Sequence, residues 1–431
     1  MSTVCVHGMG YIGLPTATML ANYDHRVFGY DTDAEVRSKL RNGNVHFEEP
    51  GLRAFVTQAL ESEQLEITDE VLPAKYHVIC VPTPFDEESK EADLAYVRSA
   101  GRAVAEHLRR GDTVILESTV PPGTTEGVLG PILEESSLSA GDDFSLVHCP
   151  ETVLPGNIIT ELRENNRIVG GVNAVSAESA VRLYESFVDG DIRTATDATV
   201  AEFVKLIQNT FRDVNIALAN EIAMLADDYG VDARGAIDLA NSHPRVDILQ
   251  PGPGVGGHCL PIDPWFLGDG SDRLDLISTA RRINDGMPGY IIELLRDELG
   301  DLRGRTIAIL GVAYKGDVGD TRMSPGLALA TQLQRADIAQ PAATDGGAET
   351  ASGPAVTIHD PHVADSTLNL SDLKTATTGA DAIVIATDHD EFESLDPDDL
   401  RAWMAGDVVI DAKGALSASA WQRSGFTVRC I

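Results

Sequence analysis

Apolar residues arrive along this chain in two rhythms. Short apolar runs occur at 3–8 (TVCVHG), 26–31 (RVFGYD), 76–84 (YHVICVPTP), 112–119 (DTVILEST) and 144–151 (FSLVHCPE), the pattern of strands buried on both faces. Helix-compatible stretches follow the first run, as far as Asn22, and span 94–110. Strand and helix in alternation predict a mostly parallel, doubly wound sheet. From about Thr196 the rhythm changes. Phe203, Leu206, Ile207, Phe211, Val214, Leu218, Ile222 and Leu225 recur at spacings of one, three or four, which predicts a helix of about 30 residues ended by Gly230. A helix that long usually joins domains or subunits. Strand-like runs resume at 305–316, 355–361, 381–387 and 407–414, so a second α/β domain follows the helical middle. The stretch 336–354, rich in Ala, Gly, Pro and Thr, reads as a flexible surface insertion.

The turns carry the chemistry. Gly8, Gly10 and Gly13 form G-x-G-x-x-G, with Tyr11 and Ile12 inside it, directly after a strand and opening a helix. Glycines there permit a tight turn and let a pyrophosphate approach a helix N-terminus. Asp31 ends the second strand, where a carboxylate bonds a ribose hydroxyl and repels a 2′-phosphate, so NAD is expected rather than NADP. Thr83 and Thr119 follow strands of the same sheet, at the edge where open α/β sheets bind ligands. In PGPGVGGHCLPIDPWF (251–266), glycines and prolines, Gly256 among them, bring bare backbone close to something just before Cys259. A cysteine in such a loop suits a nucleophile, whereas Cys5 and Cys80 sit inside apolar strands as core residues. Asp263, four residues on, can order a water, carry a proton or simply cap a turn. Lys205, Asn209 and Arg212 fall at i, i+4 and i+7 of the long helix.

Composition narrows the partners. The net charge is −34, from 67 acidic and 33 basic residues, which opposes a broad nucleic-acid contact. Only seven lysines accompany 26 arginines, an acidic and lysine-poor surface that fits a salt-rich cytoplasm. Lys315 and Lys413 stand beside glycines and Lys205 stands among Phe203, Val204, Leu206 and Ile207 of the long helix, places where a retained cation suits a diphosphate or an oxyanion. The five cysteines stand apart, without metal-site spacing, so neither a disulfide framework nor a metal is expected. No run of 18 apolar residues exists, and a cytoplasmic protein with no membrane partner is expected.

Taken in order, GMGYIGLP, VPTPF, ESTVPPGT, CPETVLPG, KLIQNTFRDVNIALANE, HPRVDILQPGPGVGGHCLPIDPWF, GVAYKGDVGDTRMSP and DAKG resemble the UDP-glucose/GDP-mannose 6-dehydrogenase family across nearly the whole chain. His258 and Ile262, where UDP-glucose enzymes typically have Ser and Lys, place the resemblance nearest the branch that acts on UDP-N-acetyl-D-mannosamine. The resemblance implies two Rossmann-like doubly wound domains joined by a central long-helix dimerisation region: an NAD domain (1–195), the helical region with the cysteine loop (196–300) and a UDP-sugar domain (301–431). It implies a homodimer or higher homo-oligomer that oxidises the C6 alcohol of a UDP-sugar to a carboxylate through a Cys259 thioester. Lys205 and Asn209 resemble residues that hold the C6 oxygen, Asp263 a water-ordering acid, Glu151 an acid assisting thioester hydrolysis, and Thr119 a residue beside water and cofactor. Arg212, His243, Arg245, Tyr314, Lys315, Arg322 and Lys413 match positions that grip sugar and diphosphate, with Arg322 also near the cofactor. Thr152 and Val153, expected at the sugar pocket, depart from side chains common in relatives. A two-electron hydroxyacid dehydrogenase would need neither Cys259 nor a second α/β domain, and a non-catalytic binder would have no use for Lys205, Asn209, Cys259 and Asp263 together.

Overall fold

A computed structural model describes residues 1–47, 49–335 and 353–431. Most of the expected insertion, 336–352, lies outside them. The described chain forms two compact units, 1–208 with 265–272, and 209–264 with 273–431.

The first unit is built on an eight-stranded sheet. Its strands are β1 (Thr3–His7), β2 (Arg26–Tyr30), β3 (Leu65–Thr68), β4 (Tyr76–Ile79), β5 (Thr113–Leu116), β6 (Ser145–His148), β7 (Arg167–Gly171) and β8 (Ile192–Thr194), in the order β3-β2-β1-β4-β5-β6-β7-β8. Every pairing is parallel except β6 with β7. All residues of β4 and β5 are buried, as a sheet covered on both faces requires. The strand order reverses between β1 and β4, the switch point at which such sheets open a crevice. The helix Gly13–Asn22 lies over it with residues 13–21 buried, and small Ala17, Ala21 and Thr16 let it pack closely.

In the second unit β9 (Thr306–Leu310), β10 (Ala355–His359), β11 (Ala382–Ile385), β12 (Val408–Asp411) and β13 (Thr427–Cys430) form a parallel sheet in the order β10-β9-β11-β12-β13. It too is doubly wound, with its switch between β9 and β11.

The long helix runs Ala198–Tyr229. Asp197 caps its start by accepting from Val200 N at 2.8 Å, and Gly230 ends it at φ +64, a left-handed conformation that glycine adopts freely. Its periodic apolar residues do not all face inward. Phe203, Ile207, Phe211, Leu218 and Leu225 are 43–56% exposed, whereas Glu202, Lys205, Asn209, Asp213 and Asn220 are buried.

A second long helix, Asp275–Leu299, was not expected as an element because its sequence carries Gly286, Pro288 and Gly289. Pro288 is buried there, and packing of Met287, Ile291, Leu294 and Leu295 outweighs the breaker signal. The helix expected over 94–110 is shorter, Ala95–Ala105.

Candidate active site

The dinucleotide motif has the shape its glycines suggest. Gly8 stands at φ +88, and a Cβ there would approach the Cys80 carbonyl oxygen to 2.5 Å; a Cβ at Gly13 would overlap the Gly8 carbonyl. Around Gly10 nothing lies within 4 Å of such an atom, so the motif closes on its own sheet and opens at its middle residue. Asp31 Oδ2 accepts from Met9 N at 2.7 Å, so the acid at the end of β2 also braces the turn. Tyr11 donates to Glu49 Oε2 at 2.7 Å, and Glu49 in turn accepts from Gly156 N and Ile158 N. Glu49 is buried, and no motif or spacing marks it for this role. Thr83 and Thr119 come together: Thr83 Oγ1 donates to Thr119 O at 2.8 Å beyond β4 and β5. These features fit a dinucleotide, whose pyrophosphate Gly8, Gly10 and Gly13 would hold.

Below that turn lies a buried polar cluster that periodicity did not reveal. Glu117, just past β5, accepts from Tyr184 OH at 2.6 Å, Cys80 Sγ at 3.1 Å and Thr16 Oγ1 at 3.2 Å. Burial, resisted by Arg167 and reinforced by Glu151, pushes the Glu117 carboxyl up. Burial likewise pushes the Cys149 thiol up to about 12 and holds the Cys80 thiol protonated, so neither is a ready nucleophile. Arg167 opens β7 and pairs with Glu151 at 2.9 Å, both side chains nearly inaccessible. Glu151 Oε1 also accepts from Thr152 N at 2.7 Å. On either side of Glu151, Pro150 and Thr152 line a cavity of about 160 Å³, with Asn165, Ile168, Lys205 and Gln208 on its wall. Lys205, Glu151 and Thr152 are thus neighbours in one corner of the first unit, while Val153 is half-buried against the core.

In the second unit the cysteine loop is held at several points. Arg234 donates to Pro251 O at 2.7 Å, Asn220 Oδ1 accepts from Gly252 N at 2.8 Å, and Gly257 N donates to Arg322 O at 2.9 Å. The close approach expected of the glycines is to the protein itself. A Cβ at Gly256 would come within 2.8 Å of Tyr314 Cβ, and one at Gly257 (φ +87) within 2.9 Å of the Tyr314 ring. Cys259 ends this loop exposed. Its carbonyl accepts from Asp263 N at 2.8 Å, and Asp263 Oδ2 accepts from Asn209 Nδ2 at 2.6 Å. Asn209 and Asp263 are buried, so this bond fixes the acid four residues beyond the cysteine. Behind them Asp213 pairs with Arg281 at 2.5 Å and accepts from Asn284 Nδ2 at 2.8 Å, a buried set missed in the sequence because its members lie about 70 residues apart.

The remaining expected ligands are exposed or half-buried, Arg212 on the long helix and the others on loops. Arg212, His243, Arg245 and Lys315 are exposed. Arg322 lies alongside Asp320, with contacts of 2.6–3.0 Å, and Lys413 Nζ is 3.3 Å from Asp388. Burial, with Asp320 nearby, pushes the Tyr314 hydroxyl up to about 12, so it stays a hydrogen-bond donor. Among the described residues two groups have metal-ligating types within reach, Cys5/His7/His77 and Asp317/His362/His389/Glu391. In both, ring nitrogens are already engaged by protein: His7 with His77 at 3.2 Å, and His389 with Asp317 N and Asp360.

Three family models match this chain: the UDP-glucose/GDP-mannose dehydrogenase family NAD binding domain over 2–188, the central domain over 199–286 and the UDP binding domain over 308–418. A UDP-N-acetyl-D-mannosamine dehydrogenase of Methanococcus maripaludis is 42% identical, covering 99% of this chain and 96% of the relative. An NDP-N-acetyl-D-galactosaminuronic acid dehydrogenase of Ralstonia nicotianae is 40% identical, covering 96% of each. The solved structure of a Pyrococcus horikoshii UDP-N-acetyl-D-mannosamine dehydrogenase superposes with a TM-score of 0.89 at 42% identity, covering 100% of this chain and 99% of that one.

Proposed function

The chain belongs to the UDP-glucose/GDP-mannose dehydrogenase family, and we propose that it oxidises the C6 alcohol of UDP-N-acetyl-D-mannosamine to the carboxylate, with Cys259 as the covalent nucleophile. The observation that carries the substrate is identity over almost the entire length to proteins bearing that activity in their names. The chemistry rests on an exposed Cys259 whose carbonyl is tied to Asp263, itself fixed by Asn209.

NAD, which Gly8, Gly10, Gly13 and Asp31 would hold, would supply the hydride acceptor for both oxidations at C6. Water ordered by Asp263, or Lys205 itself, takes the hydroxyl proton in the first. The Cys259 thiolate then adds to the aldehyde carbon, so that the second oxidation leaves a thioester, which water opens to the carboxylate and free Cys259. Lys205 and Asn209 meet the oxygen charge of each stage, a role typically worth about 3–4 kcal/mol. Thr119 orders water beside the cofactor, and Glu151 assists hydrolysis. Arg212, His243, Arg245, Tyr314, Lys315, Arg322 and Lys413 bind sugar and diphosphate, and matches over 2–188, 199–286 and 308–418 support the division 1–195, 196–300 and 301–431. The exposed stripe Phe203, Ile207, Phe211, Leu218 and Leu225 supports a homodimer, since a row of half-exposed large apolar residues on one helix face marks an interface. The −34 charge supports a cytoplasm of high salt, where ~1 M ions screen beyond about 3 Å. No helix among the described residues is long and apolar enough to cross a membrane.

A panel of UDP-N-acetylmannosamine, UDP-N-acetylgalactosamine, UDP-glucose, UDP-N-acetylglucosamine and GDP-mannose, assayed for NADH in molar KCl, tests the substrate. UDP-N-acetylmannosamine should give the highest kcat/KM and two NADH per sugar. A higher kcat/KM for UDP-N-acetylgalactosamine would favour the activity named for the Ralstonia relative.

A further inference from the structure

A buried guanidinium that serves no ligand needs a reason, because burying a charge is costly unless it is paired. Arg167 is 3% exposed, lies over the Tyr184 ring at 4.8 Å and the Phe187 ring at 5.5 Å, and meets Glu151 at 2.9 Å. Its Nε and Nη1 have no hydrogen-bond partner among the described residues, so Glu151 is the carboxylate that answers its charge in direct contact. Burial is the largest influence and works against that charge; Glu151, with Cys149, Glu117 and Tyr184 behind it, together more than offsets it, raising the guanidinium's hold on its protons. The second acid in the cluster, Glu117, is fixed by Tyr184, Cys80 and Thr16, and burial pushes it toward the neutral form. One oxygen of Glu151 accepts from Thr152 N, while the other stands 2.9 Å from Arg167 as an ion pair without a hydrogen bond among the described residues, and the residues flanking Glu151 line the cavity that Lys205 shares.

We infer that Arg167 is a positioning residue for thioester hydrolysis: its ion pair holds the Glu151 carboxylate in place beside that cavity. The inference rests on the role proposed above for Glu151. In the step concerned, a water oxygen bonds to C6 of the thioester, the C6–S bond breaks, and its electron pair leaves with Cys259 as thiolate. The proton of the attacking water passes to Glu151, and no electron acceptor is consumed. The two hydride steps do not use Glu151, so a fault in Arg167 should appear only after the second oxidation.

Glu151→Gln, Arg167→Met, Arg167→Lys and the double variant Glu151→Gln/Arg167→Met would be mixed with UDP-N-acetylmannosamine and NAD. Intact-protein mass spectrometry would follow the Cys259 adduct, and stopped flow the NADH burst. Glu151→Gln and Arg167→Met should each release carboxylate roughly tenfold or more slowly, with the burst unchanged and adduct accumulating. Arg167→Lys should fall between Arg167→Met and the parent, and the double variant should be no slower than Glu151→Gln. If Glu151→Gln accumulates adduct but Arg167→Met does not, or if Arg167→Met slows burst and release alike, the inference fails while the role of Glu151 survives. If Glu151→Gln releases product at the parent rate, that role falls and the inference with it. Should Arg167→Met not fold by circular dichroism, Arg167→Lys decides: adduct behind a normal burst supports the inference, and its absence overturns it.

Discussion

The two faces of the helix Ala198–Tyr229 contrast in the opposite sense from an ordinary amphipathic helix. Outward stand Phe203, Ile207, Phe211, Leu218 and Leu225, each more than two-fifths exposed; inward stand Glu202, Lys205, Asn209, Asp213 and Asn220, none above 9%. The helix Gly13–Asn22, by comparison, buries Leu14, Ala17, Met19 and Leu20 as expected of a core element. Buried polar groups persist only with partners, and here the partners lie in or beside the candidate site: Asn209 with Asp263, Asn220 with the cysteine loop, Glu202 with the turn after Thr119. The apolar face is then left for another surface. On the function proposed above, one helix carries a catalytic side and an association side, and each can be damaged without the other.

The inward face should give the largest effect. Lys205→Met keeps the length and loses the cation, so kcat should fall roughly 10²–10³-fold while the thermal midpoint shifts little, as for removal of an oxyanion partner. Steady-state NADH formation and a melting curve on the same sample would show it. A variant that melts early in proportion to its lost activity would make Lys205 a structural residue.

On the outward face, Phe211→Asp with Leu218→Asp should convert the dimer to a monomer in sedimentation velocity, since two charges would have to be desolvated at the interface. An unchanged sedimentation coefficient would place the interface elsewhere, or show that the native protein is monomeric.

The smallest effect concerns Glu202, whose carboxyl burial pushes up to about 7 despite donors from Thr125 and Gly123. A raised folded value means that its protonated form is favoured by folding. Its contribution is full below about pH 4.5 and is lost as pH rises through about 7, at most about 3 kcal/mol. Subtracting urea midpoints of Glu202→Gln from those of the parent between pH 4.5 and 8 should reveal that decline. A difference independent of pH would refute the shift.

Much of this architecture was legible because parallel strands covered on both faces read as plain apolar runs, which is how β1, β2, β4, β5 and β6 declared themselves. β7 did not, because RIVGG spends two positions on glycines that packing demands: a Cβ at Gly171 would collide with the helix beginning at Ala174. The helix Asp275–Leu299 hid behind Pro288. For the long helix, periodicity located the element but not the face that turns inward, since spacing records which residues align and not what covers them. In the candidate site, Thr83 and Thr119 were legible from their strand ends, and they do meet. Arg167, Glu117 and Arg281 were not, because each owes its significance to a partner distant in sequence and none sits in a turn with special backbone needs.

The covalent role of Cys259 is the claim on which the four-electron reading depends. Cys259→Ser preserves the loop held by Arg234, Asn220 and Tyr314, but a hydroxyl of far higher pKa is a poor nucleophile, and an ester opens more slowly than a thioester. Mass spectrometry after incubation with UDP-N-acetylmannosamine and NAD should find protein carrying the uronyl group, with steady turnover reduced by orders of magnitude. Two NADH per sugar at a near-parent rate from Cys259→Ser, with no adduct, would contradict covalent catalysis at this residue.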